Sequence, residues 1–194
     1  MPNLDKKYWE SKYLNDEAGW DIGSISPPLK EYFDQLTNKK LKILIPGCGN
    51  AYEADYLYEN GFKNVFALDW ADNAISEFRK RAPHFPEKNI FNEDFFSHKE
   101  RYDLIIEQTF FCAIFPNDRM KYAKKVHQLL NPNGRLVGLL FNHEFGNDFP
   151  PYGGTEEEYL RIFKPYFFIK QFSAATNSIK PRAGRELFIN FIKL

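Results

Sequence analysis

The chain has 194 residues, a length that suits one domain and buries roughly 70% of its unfolded surface without outside support. Lysine plus arginine equals aspartate plus glutamate, at 26 each, and no tail holds a block of one sign, which argues against a general nucleic-acid or anionic-membrane partner. Two cysteines and four scattered histidines are too few for a disulfide framework or a zinc cluster, so no metal is expected.

The opening "MPNLDKKYWESKYL" lacks the apolar centre of an export signal, and no run approaches the ~20 apolar residues that a membrane span needs. A cytoplasmic monomer with a small-molecule substrate is the expectation. A helical pattern around Tyr8, Trp9, Tyr13 and Leu14 is followed by the turn-rich "GWDIGSISPPL" and a second helix from Pro28 towards Leu36. Residues 1–36 read as a helical lid on one domain that spans 1–194.

From Leu41 strands and helices alternate. The strand Leu41–Ile45 leads through a tight turn to a helix ending near Asn60, then come Asn64–Asp69, the helix Ala71–Arg81, and the strands Asn89–Phe91 and Tyr102–Gln108. A helix near Arg119–Leu130 is ended by "NPNG", the strand Arg135–Phe141 follows, and a short helix lies near Glu156–Phe163. The runs Phe167–Phe172 and Leu187–Ile192 have no helix between them and read as an antiparallel edge pair. Alternation with short loops predicts a mostly parallel sheet with helices on both faces, an α/β Rossmann-like fold.

In such a sheet, ligands sit beyond the carboxyl ends of the strands. The first loop there is "PGCGNAYEA", where Gly47 and Gly49 permit the turn and let a cofactor approach the main chain, or simply end the strand. A dinucleotide fingerprint requires a third glycine where Tyr52 stands. Its absence argues against NAD and for S-adenosylmethionine (SAM), which has no phosphate to seat. Asp69 ends "VFALDW" about 20 residues after the glycine turn, the place of a carboxylate that accepts bonds from ribose hydroxyls, although it or Asp72 could equally cap a helix. Trp70 flanks the adenine or is a core indole. In "NEDFF", Asp94 and Phe95 are candidates to bond and pack the adenine, against a solvated turn acid and a core ring.

The segments "PGCG", "ALDW", "EDFF", "GWDIG", "PYGG" and "IIEQTFFCAIFPNDR" together resemble the thiopurine S-methyltransferase family, most closely its halide and thiol (thiocyanate) methyltransferase branch. The resemblance implies a class I SAM-dependent methyltransferase fold with a seven-stranded sheet. It also implies transfer of the SAM methyl group to a thiol, thiopurine, thiocyanate, bisulfide or halide, leaving S-adenosylhomocysteine (SAH). A methyltransferase acting on an O or N acceptor is the alternative. The resemblance places Trp9, Tyr13 and Trp20 around SAM, with Gly47, Asp69, Asp94, Phe95 and Gln108 at further cofactor positions. The chain departs from the family pattern at Tyr13, at Gln108 and in "NAYE". Read from spacing alone, Trp9 and Tyr13 are one helical turn apart and form a docking stripe.

Displacement at a sulfonium methyl needs alignment and exclusion of water more than covalent help from the protein. An anionic acceptor needs no obligatory base but does need a cation, for which Arg119 and Arg182 are the candidates against the plain reading of solvated arginines. Tyr152 in "PPYGG" is placed to line the acceptor pocket. Cys112, among apolar neighbours, reads as an inert buried thiol, and His143 as a loop histidine.

Overall fold

The computed structural model describes residues 3–194; positions 1 and 2 of the expected lid lie outside the described residues. Seven strands form one mixed sheet in the order β3-β2-β1-β4-β5-β7-β6, with β1 Ile43–Pro46, β2 Val65–Asp69, β3 Ile90–Asn92, β4 Tyr102–Gln108, β5 Leu130–Phe141, β6 Phe167–Ala174 and β7 Glu186–Lys193. The helices are α1 Lys6–Leu14, α2 Pro27–Asp34, α3 Tyr52–Glu59, α4 Asp72–Arg81, α5 Arg119–Leu129 and α6 Glu156–Phe163. No helix among the described residues is long and apolar enough to cross a membrane. The chain divides into two compact units, Met1–His98 and Lys99–Leu194.

In the first unit β1, β2 and β3 run parallel, with Ile43 opposite Val65 and Asp69 opposite Asn92. All four residues of β1 are buried, the continuous apolar run of a strand covered on both sides. Helix α4 starts with Asp72 and ends with Arg79, Lys80 and Arg81, charges that complement its dipole at both ends. Helix α1 contains no buried residue, so packing into a core does not hold it. Part of its anchor is polar. The Glu10 carboxylate accepts from the backbone amides of Asp72 and Asn73 and from the Asn73 side chain, supplying the cap that Ala71, at the N-cap of α4, cannot.

In the second unit β4 and β5 are parallel, while β7 pairs antiparallel with both β5 and β6, as the sequence predicts for the edge. Strand β5 starts at Leu130, five residues before the expected Arg135. The "NPNG" turn forms, but as a bulge within the ladder: Tyr102 pairs with Leu130, the register then shifts, and Leu104 pairs with Arg135. Asn133 takes the left-handed conformation there, at φ 61°. Much of the aromatic content is core. Phe111, Tyr122, Tyr159, Phe163 and Phe191 are each 0–1% exposed, and Phe111 lies 5.2 Å from Tyr122 and 5.4 Å from Phe163 between ring centres.

Gly138, in the middle of β5, lies directly against the backbone of its neighbour Glu107, and a Cβ there would overlap the Glu107 carbonyl. Backbone cannot move aside as a side chain tip can. Gly138→Ala should therefore destabilise the fold by about 3 kcal/mol or more, lowering the melting temperature by roughly 6 °C or more. An unchanged melt would show that the two strands are not this close.

Candidate active site

At the carboxyl ends of β1 and β2, Gly47 (φ 58°), Gly49 (φ 53°) and Ala51 (φ 54°) all take the left-handed conformation. Two are glycines for that reason, while Ala51 carries the strain. The turn is tied to β2, since Cys48 N donates to Leu68 O at 3.0 Å and Gly49 N to Asp69 Oδ2 at 3.0 Å. Asp69 Oδ1 accepts from Ala71 N at 2.9 Å. Asp69 is 7% exposed, and this burial raises its pKa against the opposing pull of the Ala71, Gly49 and Trp70 amides. Each carboxylate oxygen thus carries a backbone donor and keeps a lone-pair direction for another. Asp69 holds the residue before α4 as well as the glycine turn, but the N-cap of α4 is Ala71, so neither Asp69 nor Asp72 takes the capping position.

The aromatic residues of the N-terminal segment gather over this turn. Trp20 packs edge-on against Trp9 and against Tyr13, with ring centres 5.6 Å apart in both pairs. A Cβ on Gly49 would come within 3.1 Å of the Tyr13 hydroxyl, so that residue also has to be small. Burial and then the charge of Asp69 push the Tyr13 phenol well above its ordinary range, keeping it protonated. The thiol of Cys48 is likewise pushed well up, by burial and then by Asp69. Trp70 is half-buried, and its backbone amide helps hold Asp69.

At the end of β3, Asp94 closes a local turn, accepting from Phe96 N at 3.0 Å and Ser97 Oγ at 3.4 Å. Phe95 is 2% exposed and Phe96 is the outward ring. Arg81, which the sequence gave no reason to select, reaches back from α4 to donate to Asn50 O through Nε at 3.1 Å and Nη2 at 2.9 Å, and pairs with Asp55 at 2.6 Å. It fixes the exit of the glycine turn. His84 Nε2 approaches Asp55 Oδ1 at 2.9 Å and Glu59 Oε1 at 3.7 Å, donor types suited to a metal, but Arg81 occupies the other oxygen of Asp55.

In the second unit β4 ends in a buried carboxylate of its own. Glu107 is fully buried; its Oε1 accepts from the amides of Phe110 and Phe111, each at 2.8 Å, and its Oε2 from the Tyr122 hydroxyl. These bonds fold the turn from Thr109, left-handed at φ 59°, to Cys112. Burial wins over the three donors and pushes the Glu107 carboxyl up to about 7. Gln108, next to it, has a buried side-chain oxygen with no hydrogen-bond partner among the described residues.

Beyond that turn lies a pocket walled by Phe111, Leu139, Leu140 and Phe141, with Thr109, Cys112 and Glu186 as its polar members. It encloses at most about 240 Å³, open solvent at its mouth included. The three residues expected to handle the acceptor do not line it, but each touches a residue that does. Tyr152 N donates to Cys112 O at 2.7 Å, and its ring lies 5.6 Å from that of Phe115. Arg182 is buried, 3.5 Å from Glu186 and 5.7 Å from the centre of the Phe141 ring.

Arg119 is 1% exposed, the reverse of a solvated arginine. Its Nη1 pairs with Glu158 at 2.8 Å, and its Nη2 donates to Tyr152 O at 3.1 Å and Gly153 O at 2.8 Å. The guanidinium covers the Phe111 ring at 4.8 Å, and its Nε has no hydrogen-bond partner among the described residues. The Cys112 thiol is pushed up to about 12, by burial and then by Glu107, which fits the inert reading. His143 packs on Phe145 at 5.1 Å.

The sequence profile of the thiopurine S-methyltransferase family matches residues 4–188. The chain belongs to that family. It is 30% identical over 185 residues to the probable thiol methyltransferase 2 of Arabidopsis thaliana, a match covering 92% of this chain and 81% of that one. It is 26% identical over 177 residues to the thiopurine S-methyltransferase of Vibrio cholerae, covering 82% and 81%. The fold is that of class I methyltransferases: the Burkholderia thailandensis 1,6-didemethyltoxoflavin-N1-methyltransferase, solved with SAH, superposes with a TM-score of 0.78 at 18% identity, over 98% of this chain and 87% of that one. This thiopurine S-methyltransferase family member is accordingly a SAM-dependent methyltransferase.

The position of Glu107 gives it a measurable signature. A glutamate titrates near 4.5 when solvated and near 7 here, so between those values the folded state holds a proton that the unfolded chain releases. Stability contributed by this group is complete below about pH 4.5 and is lost as pH rises towards 7. Glu107→Gln removes the titration while keeping an acceptor for the two amides. The melting temperature of the variant should fall less steeply than that of the wild type across this window; parallel slopes would contradict the assignment.

Proposed function

We propose that the protein transfers the methyl group of SAM to a small sulfur or halide nucleophile seated in the pocket at the ends of β4 and β5. The observation that carries this reading is the pocket itself, which has four apolar walls, a small volume and buried arginines beside it. The mostly apolar lining suits a small, poorly hydrated sulfur or halide nucleophile.

Asp69 suits the ribose hydroxyls, because its two oxygens are fixed by backbone amides and each retains acceptor capacity. Gly47 and Gly49 allow the methionyl and ribose part to lie along the main chain. Trp9, Tyr13 and Trp20 cover it, and residues 1–36 act as the lid. Asp94, Phe95 and Trp70 are assigned to the adenine end. The orphaned oxygen of Gln108 is an acceptor that a cofactor amino group would satisfy. When bound, the cofactor supplies an electrophilic methyl group on a sulfonium.

The protein's part is to hold the acceptor sulfur or halide in line and strip it of water. Arg182, paired with Glu186, is the cation assigned to position the acceptor. Arg119 acts through position: its two carbonyl bonds set the Tyr152–Gly153 segment that borders the Cys112 turn. The two free thiols, Cys48 and Cys112, fit a reducing cytoplasm, and we take the working form to be a monomer.

Incubation with methyl-labelled SAM and a panel of thiols, thiocyanate, iodide, thiopurines, a phenol and an amine tests the assignment. Methylated sulfur or halide products are expected; product from the phenol or amine alone would overturn it in favour of an O or N acceptor. Arg119→Ala should raise the acceptor KM by on the order of tenfold or more with little change in that of SAM, and equal effects on both would remove Arg119 from the acceptor side.

A further inference from the structure

One charged group in the acceptor pocket has no task in a transfer to a preformed anion. Glu186, the first residue of β7 and the partner of Phe141 across the sheet, lines the pocket and is 4% exposed. For an enzyme that accepts only permanent anions this placement is adverse, since a second negative charge has to enter beside the first in a desolvated space. Arg182 offsets a single charge, and loosely: its Nη1 stands 3.5 Å from Glu186 Oε1, near the outer limit of a hydrogen bond. The pair leaves the pocket close to neutral. Cys112 adds no charge, because its thiol stays protonated.

A neutral acceptor reverses the balance. We propose that Glu186 is the proton acceptor for a thiol, R–SH or hydrogen sulfide, that enters this pocket protonated. The inference rests on the methyl-transfer reading above and adds to it a base and a protonation state for the substrate. In the step, the S–H proton passes to a carboxylate oxygen of Glu186 and the S–H electron pair stays on sulfur. That sulfur forms the new S–CH3 bond as the methyl carbon's bond to the donor sulfur breaks, its electron pair remaining with the leaving thioether. Glu186 then returns its proton to water.

Among the described residues, the charged and titratable groups beside Glu186 are Arg182 from the loop before β7 and Cys112 from the turn after β4, with the Ser178 hydroxyl also adjacent. Burial raises the Glu186 carboxyl above its ordinary range, while Ser178 and Arg182 pull it back. A raised carboxyl is a stronger base than a solvated one and is better matched to an alkyl thiol, whose own pKa is about 8.5.

The wild-type enzyme tests this without any substitution. For an alkyl thiol, kcat/KM should stay flat as pH falls below the pKa of the thiol and drop only when Glu186 becomes protonated. For iodide it should rise through that same protonation, as the repelling charge is removed. A thiol profile that climbs tenfold per pH unit up to the thiol's own pKa would show that only preformed thiolate reacts and would overturn the proposal. Glu186→Gln should lower thiol turnover roughly 10²- to 10⁴-fold while leaving iodide turnover equal or higher, and Glu186→Asp should restore part of the thiol rate. Equal losses for thiol and iodide would mean that Glu186 is structural. Difference infrared spectra give a readout without the methyl donor: thiophenol binding should shift a carboxylate band in the wild type, and the same shift in Glu186→Gln would contradict the contact. If the wild type methylates no member of the acceptor panel, the transferase reading itself fails, an outcome distinct from a Glu186→Gln enzyme that still turns over thiols at the wild-type rate.

Discussion

In each of the two units the same constraint operates: a carboxylate buried at the end of a strand must find donors, and the nearest ones are the backbone amides of the turn that follows. Asp69 at the end of β2 takes the amides of Gly49 and Ala71, and Glu107 in β4 takes those of Phe110 and Phe111. Neither turn is free to adopt another shape while its carboxylate stays in place. The left-handed residues Gly49 and Thr109 are where the backbone yields to that demand.

The features that serve chemistry follow from these two anchors. With Asp69 fixed, the glycine turn presents main chain instead of side chain, and Tyr13 can approach to a distance that a larger residue at position 49 would deny. Arg81 secures the exit of that turn, and Glu10 fastens α1 to the start of α4 by capping it. With Glu107 fixed, Cys112 and Phe111 form one wall of the pocket in the second unit. Arg119, bonded to the carbonyls of Tyr152 and Gly153, sets the segment that borders it.

Much of this was legible in the sequence. The alternation of apolar strands and amphipathic helices gave the sheet and its antiparallel edge, because period and length are local properties. Gly47, Gly49 and Asp69 were visible through a spacing that backbone geometry imposes. The burial of Arg119 was not, since an arginine directly after "PND" looks like surface until the carbonyls from residues 152 and 153, more than thirty positions away, are seen to meet it. Glu107 and Glu186 were missed for a related reason. Each is a lone acid beside an apolar run, and that oddity was the available signal, but nothing local says which donors or which cavity the acid faces. The early start of β5 was hidden because "NPNG" ends a helix as readily as it bulges a strand. Capping of α4 by Glu10 joins residues more than sixty positions apart, which no local pattern encodes.

The claim that supports the rest is that the Asp69 edge of the first unit holds the adenosyl compound. Titration calorimetry with SAH measures this directly. The account predicts saturable one-to-one binding to the wild type and at least roughly tenfold weaker binding to Asp69→Asn, the loss expected when a hydrogen bond to a charged acceptor is replaced by one to a neutral amide. A folded wild-type protein that takes up no SAH, or an Asp69→Asn protein that binds it as tightly as the wild type, would contradict the account.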